Sequence, residues 1–184
     1  MNRAGYVLAG GRSSRMGQDK ALLPFRGQTL VHAVARAVER SAGSAVLVGR
    51  AAFGPYRAIP DLYPGEGPLA GILTALADTA ASWNLIVACD MPELTAPFLL
   101  GLLEAAEASA ADALVPAGPS GRLEPLCAVY HGRTRVPLEA AFRAGVRKIT
   151  AALEGVRAVR FPVAEILPLQ NVNTPEDWSG YAAK

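Results

Sequence analysis

Hydrophobic and polar positions along this chain follow two different periods. Residues 5–9, GYVLA, are continuously apolar, as expected of a strand buried on both faces. Leu30, Val31, Val34, Ala35 and Val38 then recur at helical spacing, with Arg36, Glu39 and Arg40 on the opposite side. That spacing predicts a helix over 29–41 with Thr29 as its N-cap. The same reading gives a strand over 44–49, a helix opened by Pro68 over 68–81, and a nearly all-apolar strand over 84–90 that ends on Asp90. A helix capped by Thr95 over 95–109 and a strand over 112–117 follow. The later half is less regular. Residues 123–131 read as a strand that Pro125 places toward a sheet edge. Short helices over 134–145 and 146–155, a strand over 156–162 and a helix over 174–183, with Thr174 as cap and Pro175 first, complete the pattern. Strand–helix alternation without repeat or linker predicts one α/β domain over 1–184. Its expected architecture is three-layered and Rossmann-like, with a mostly parallel sheet. Ligands of such sheets bind beyond the carboxyl ends of the strands.

Composition narrows the class. The chain has 184 residues, 51% hydrophobic and 18% charged, enough apolar sequence to build a core and too much for disorder. A net charge of +2 gives no case for a surface that coats nucleic acid, so no nucleic-acid partner is expected. The charge is uneven, however. Arg3, Arg12, Arg15, Lys20 and Arg26 face only Asp19 in the first 26 residues, which suits a small anionic ligand. Cys89 and Cys127 have neither disulfide-framework nor zinc spacing and read as buried thiols. Arg3 and Gly5 precede a very short apolar run, which argues against a secretory signal, and no stretch approaches a membrane span. The expected location is cytoplasmic.

Four segments carry candidate chemistry. The first strand runs into "AGGRSSRMGQDK", residues 9–20. Gly10 and Gly11 permit close backbone approach, their N–H groups can cradle phosphate oxygens, and Arg15 and Lys20 supply charge. Arg12 and Ser13 are equally well explained as solvated loop residues. The spacing of Gly10, Gly11 and Gly17 does not match the dinucleotide fingerprint, and Met16 stands where a P-loop needs glycine, so hydride transfer and P-loop phosphorylation are disfavoured. In "VACDMPELT" a strand delivers Asp90 to the sheet end. A turn aspartate and a Mg2+ ligand are both consistent with it, and a phosphate loop elsewhere favours the metal. Asp61 follows a short strand in "IPDLYPGEGPLAG", where an ordinary connection to a helix accounts for the sequence as well as a nucleotide contact does. Asn171 and Asn173 flank one apolar residue, so an extended backbone turns both amides to one side. His32 and His131 form no catalytic pairing.

Taken together, "LAGGRSSRMGQDK", "DLYPGEGPLAGI", "ACDMPELT", "RLEPLCAVY" and "NVNTPEDW" resemble, in order, the sequence blocks of the molybdenum cofactor guanylyltransferases. The resemblance covers nearly the whole chain and implies a fold like that of the nucleotide-diphospho-sugar transferases. It implies a Mg2+-dependent transfer of GMP from GTP to the phosphate of Mo-molybdopterin, forming the guanine dinucleotide and pyrophosphate. On matching positions it implies that Leu8, Ala9, Gly10 and Gly11 contact the nucleotide, that Lys20 meets phosphates, and that Asp61 lies on the nucleotide side. Asp90 would hold Mg2+, Arg15 would sit near the leaving phosphates, and Asn171 and Asn173 are further candidates. Arg122 and Pro125 are candidates on the pterin side. Transient contact with cofactor-biosynthesis or acceptor proteins is also implied. The chain departs from the family near 48–50, where Gly49 and Arg50 stand and the usual asparagine does not. The alternative is a related enzyme that uses CTP or another phosphorylated acceptor; the LAGG and DK forms favour GTP.

Overall fold

The structure, a computed structural model, describes residues 2–10, 19–50, 54–165, 167–172, 174, 177 and 178. Strands β1 (Arg3–Leu8), β4 (Val46–Val48), β5 (Arg57–Ile59), β6 (Trp83–Ala88), β7 (Ala113–Ala117), β8 (Cys127–His131) and β9 (Ala158–Pro162) form one seven-stranded sheet in the order β5-β4-β1-β6-β8-β7-β9. Pairs β5–β4, β4–β1, β1–β6 and β7–β9 are parallel, and β8 runs antiparallel to β6 and β7. The mostly parallel sheet expected from the alternation is therefore present. Burial on both faces is visible residue by residue. Tyr6 and Ile86 point into one apolar layer, whereas Val7, Leu85 and Val87 point into the other.

Helices α1 (Leu30–Ala42) and α3 (Ala96–Ala108) cover the Val7 face; α2 (Pro68–Asp78), α4 (Arg135–Arg143) and the one-turn α5 (Ile149–Ala152) cover the Tyr6 face. The apolar stripe of α1 is the expected one: Leu30, Val31, Val34, Ala35 and Val38 are all buried. Burying each of the leucine and valine side chains stabilises the fold by roughly 1.5–3 kcal/mol. Thr29 occupies the N-cap position, yet its side chain makes no capping bond, and its Oγ1 is buried without a partner. Thr95 does cap, accepting from Phe98 N at 3.4 Å. Thr174 forms a reciprocal box with Asp177: each backbone N–H donates to the other's side chain, at 2.9 and 3.1 Å. Most of the helix expected over 174–183 lies outside the described residues.

Three expectations change. The strand after Pro125 is not at an edge, because β8 lies between β6 and β7. Pro125 precedes its first paired residue, so no ladder donor is lost. The helix expected over 146–155 is shorter, since after the one turn of α5 the chain tightens into a 3-10 turn at Leu153–Gly155. Finally, the apolar pattern did not disclose a small hairpin of β2 (Pro24–Phe25) and β3 (Gln28–Thr29). Its turn is Arg26-Gly27, both at positive φ (47° and 78°), the two-residue geometry that matches strand twist.

Candidate active site

β1 is the switch point of the sheet. From it the chain passes through α1 to β4 on one side, and β6 flanks it on the other. A cavity of about 450 Å³ opens beyond the carboxyl ends of β1, β4 and β6, where an open parallel sheet is expected to bind its ligand. Leu8, Ala9 and Gly10 line it from the end of β1, Lys20 from the returning loop, Asp61 from beyond β5, and Asp90 from beyond β6. Six residues read from the sequence are thus brought together. Gly11, Arg15 and Asn173 lie outside the described residues.

The backbone at the cavity floor is unusually close. Ala9 N and Gly10 N both donate to Val48 O at 3.0 Å, which brings Gly10 against Gly49. Gly49 has φ 83°, and a Cβ there would lie 2.8 Å from Gly10 Cα, a backbone atom that cannot rotate away. Gly49 is therefore fitted to its neighbour. Gly49→Ala is expected to cost about 1–3 kcal/mol of stability and to weaken nucleotide binding. Thermal denaturation and nucleotide titration of the variant check this.

Lys20 and Asp90 are joined through a third residue. Lys20 Nζ donates to Val172 O at 3.2 Å, and Val172 N donates to Asp90 O at 2.8 Å. Val172 is fully buried, so its backbone is a fixed strut between the Lys20 ammonium and the main chain at Asp90. Burial raises the Asp90 carboxyl above its ordinary range, and the nearby Lys20 ammonium pulls the other way. Asn171 does not line the cavity, and its Oδ1 is buried without a hydrogen bond. Sequence reasoning placed function on the two asparagines and passed over the valine between them. Its backbone role has no sequence signal beyond its position in the block.

Asp61 both shapes its own turn and lines the cavity. Its Oδ1 accepts from Tyr63 N at 3.0 Å and lies 3.0 Å from Thr74 Oγ1, so one oxygen shapes the turn. Oδ2 has no partner among the described residues and belongs to the residue that lines the cavity. Asp19 caps the 3-10 turn Lys20–Leu22 by accepting from Ala21 N at 3.1 Å. It also pairs with Arg50 at 2.6 Å, and that arginine holds its carboxyl below the usual range. Burial, with Asp90 and Asp19 nearby, pushes the Cys89 thiol up to about 12. It is therefore protonated at neutral pH and is no nucleophile. Among the described residues no three His, Cys, Asp or Glu side chains cluster as a metal site. The basic cluster read from the first 26 residues is also smaller than it looked. Arg3 pairs with Glu107 at 2.6 Å at the start of β1, and Arg26 pairs with Glu93 at 3.1 Å.

A second cavity, of about 520 Å³, adjoins the first across Pro68 and Leu126. Arg122, Arg147 and Lys148 make it basic. Arg147 is fixed by Glu66 at 2.7 Å and by Phe142, over whose ring it lies at 4.1 Å. Arg122 and Pro125, read as pterin-side candidates, line this cavity, whereas Arg147 and Lys148 were not singled out.

A switch-point cavity with an acid and a cation at strand ends defines a nucleotide-binding α/β protein of the nucleotidyltransferase type. The MobA-like NTP transferase domain matches residues 5–158, and the chain belongs to that family. It is 37% identical over 180 residues to a molybdenum cofactor guanylyltransferase of Xanthomonas euvesicatoria, covering 95% of this chain and 92% of the relative. It is 33% identical over 187 residues to a probable molybdenum cofactor guanylyltransferase of Methanothermobacter thermautotrophicus, covering 93% and 94%. Among solved structures it resembles molybdopterin-guanine dinucleotide biosynthesis protein A of Archaeoglobus fulgidus, with a TM-score of 0.82 and 30% identity over 96% and 95% of the two chains. The family resemblance read from the sequence blocks is thus borne out.

Proposed function

We propose that this protein transfers GMP from GTP to the terminal phosphate of Mo-molybdopterin, releasing pyrophosphate. The observation that carries the reading is the pair of adjoining cavities: one holds Lys20 and Asp90 at the switch point, and the other is basic. The names of the relatives support the same donor and acceptor. In the reaction an acceptor phosphate oxygen attacks the α-phosphorus, the bond to the bridging α–β oxygen breaks, and pyrophosphate carries away the electron pair. The attacking oxygen is already ionised near neutral pH, so no general base is required. The task left to the protein is to bring two polyanions together and to neutralise charge.

Each residue then has a part. Leu8, Ala9 and Gly10 form the floor against the nucleotide, and Lys20 meets its phosphates. Arg15 is assigned to the leaving pyrophosphate on the sequence block alone. Asp90 is the residue that would hold Mg2+: its single carboxylate fits a cation that takes one or two carboxylates and completes its shell with phosphates and water. When bound, that ion would supply charge neutralisation at the phosphates. Asp61, with one oxygen spent on its own turn, offers the other to the nucleotide.

The test is to incubate the protein with Mg2+, Mo-molybdopterin and either GTP or CTP, and to identify the product. The guanine dinucleotide is expected, with calorimetry giving GTP at least about tenfold tighter binding than CTP, a difference one discriminating pair of hydrogen bonds can supply. A cytosine dinucleotide as the main product would replace this reading with its alternative.

A further inference from the structure

We propose that Glu124 reads the 2-amino-4-oxopyrimidine edge of the acceptor's pterin ring, an inference that rests on the acceptor reading above. Glu124 lines the second cavity and is half-buried. Its backbone is pinned on both sides: its N–H donates to Pro116 O at 2.8 Å, and its carbonyl accepts from Cys127 N at 3.1 Å. Its carboxylate has no hydrogen-bond or ion-pair partner among the described residues, although Arg122, Arg147 and Lys148 line the same cavity. Burial and Asp90 push its carboxyl up, while Arg122 pulls it down.

Arg147 is already paired with Glu66, and a phosphorylated acceptor accounts for the Arg122 and Lys148 charges but not for this carboxylate. Near a bound phosphate an anion is repelled, so Glu124 requires a different part of the acceptor, one that donates protons. A pterin ring offers a ring N–H and an exocyclic amino group side by side. A carboxylate can accept both at once, in the two-point geometry that gives strong, oriented recognition. The cations would hold the phosphate, Glu124 would fix the ring, and the acceptor would be held at two points. Guanine presents the same edge, but Glu124 lines the second cavity and not the first. The geometry therefore assigns it to the acceptor.

The probes are a pterin bearing a phosphomonoester on a short side chain and its lumazine counterpart, in which an oxo group replaces the 2-amino group. Both are titrated by fluorescence into the full chain. The wild type is expected to prefer the pterin by about tenfold or more, since the lumazine turns an acceptor toward the carboxylate. In Glu124→Gln, affinity for the pterin phosphate should fall about ten- to a hundredfold, and the preference should collapse toward one. The preference for GTP over xanthosine triphosphate should stay within about twofold. Equal wild-type affinity for the two probes, a measurement that needs no variant, overturns the proposal. An unchanged preference in Glu124→Gln also overturns it, as does a loss of discrimination against xanthosine triphosphate, which would move Glu124 to the guanine. If the wild type binds GTP but not the pterin phosphate, the acceptor reading falls and takes this proposal with it.

Discussion

Replacing Asp90 by alanine is expected to lower dinucleotide formation by roughly three orders of magnitude, with no loss of folded stability. The two halves of this expectation have one cause. The carboxylate sits half-buried at the end of β6, and its backbone carbonyl accepts from Val172 N whatever the side chain is. Truncation therefore leaves the strut in place and removes only the acid. Burial raises the carboxyl above its ordinary value of 3.8, so the folded protein holds the proton more tightly than the unfolded chain does. Between 3.8 and the raised folded value, stability falls as pH rises. Above that window the ionised group carries a constant cost. Asp90→Asn should accordingly melt at a higher temperature than the wild type at pH 7, and the gap should close as pH falls below the ordinary carboxylate value. Calorimetry across pH, set beside turnover with saturating GTP, measures both. Normal turnover in the variant would remove Asp90 from the site, and a lower melting temperature at pH 7 would make it a structural residue. The expected combination, a group that weakens the fold where it serves the reaction, is the signature of a functional carboxylate.

Much of this arrangement could be read from the residues themselves, and the reasons for the gaps are physical. β1, β6 and α1 were legible because an apolar run and a 3.6-residue stripe each report a local period that tertiary packing reinforces. The placement of β8 was not legible. Pro125 signals an edge only if it falls within the ladder, and whether it does depends on a register set by β6. The β2–β3 hairpin is too short to show a period, and only Arg26-Gly27 hinted at its turn. In the site, Lys20, Asp61 and Asp90 stood out because charge after an apolar strand is conspicuous. Val172 did not stand out, because it acts through a carbonyl and an N–H that every residue except proline possesses. Arg50 was visible only as a departure from the family pattern; its partner Asp19 is 31 positions earlier in the numbering, a distance no local rule bridges. Glu124 drew no notice within "RLEPL", since its interest lies in having no described partner, a property of the folded cavity and not of the sequence.

Lys20→Met should lower kcat/KM for GTP by about a hundred- to a thousandfold, the effect of removing one preorganised charge aimed at a developing phosphate anion. Methionine keeps an unbranched apolar stem but removes the ammonium, and with it the bond to Val172 O. The loss should be larger than for an ordinary surface lysine because that bond holds the ammonium before nucleotide arrives, leaving little ordering to be done during the reaction. Lys20→Arg should restore only part of the rate, since the guanidinium fork does not reproduce a single compact donor. A second readout separates catalysis from mere support. Lys20 is what lowers the Asp90 carboxyl against burial, so without it that carboxyl should rise further. The acidic limb of the pH–rate profile should then move to higher pH in Lys20→Met, in the direction that proton binding at Asp90 requires. Adding Asp90→Ala to Lys20→Met should cost far less than the two single losses multiplied, because the Lys20 charge acts on the Asp90 carboxylate itself. Multiplicative losses together with an unmoved acidic limb would mean that the strut is only scaffolding. Non-multiplicative losses with a shifted limb would mean that the cation and the carboxylate share one task, the electrostatic handling of the triphosphate.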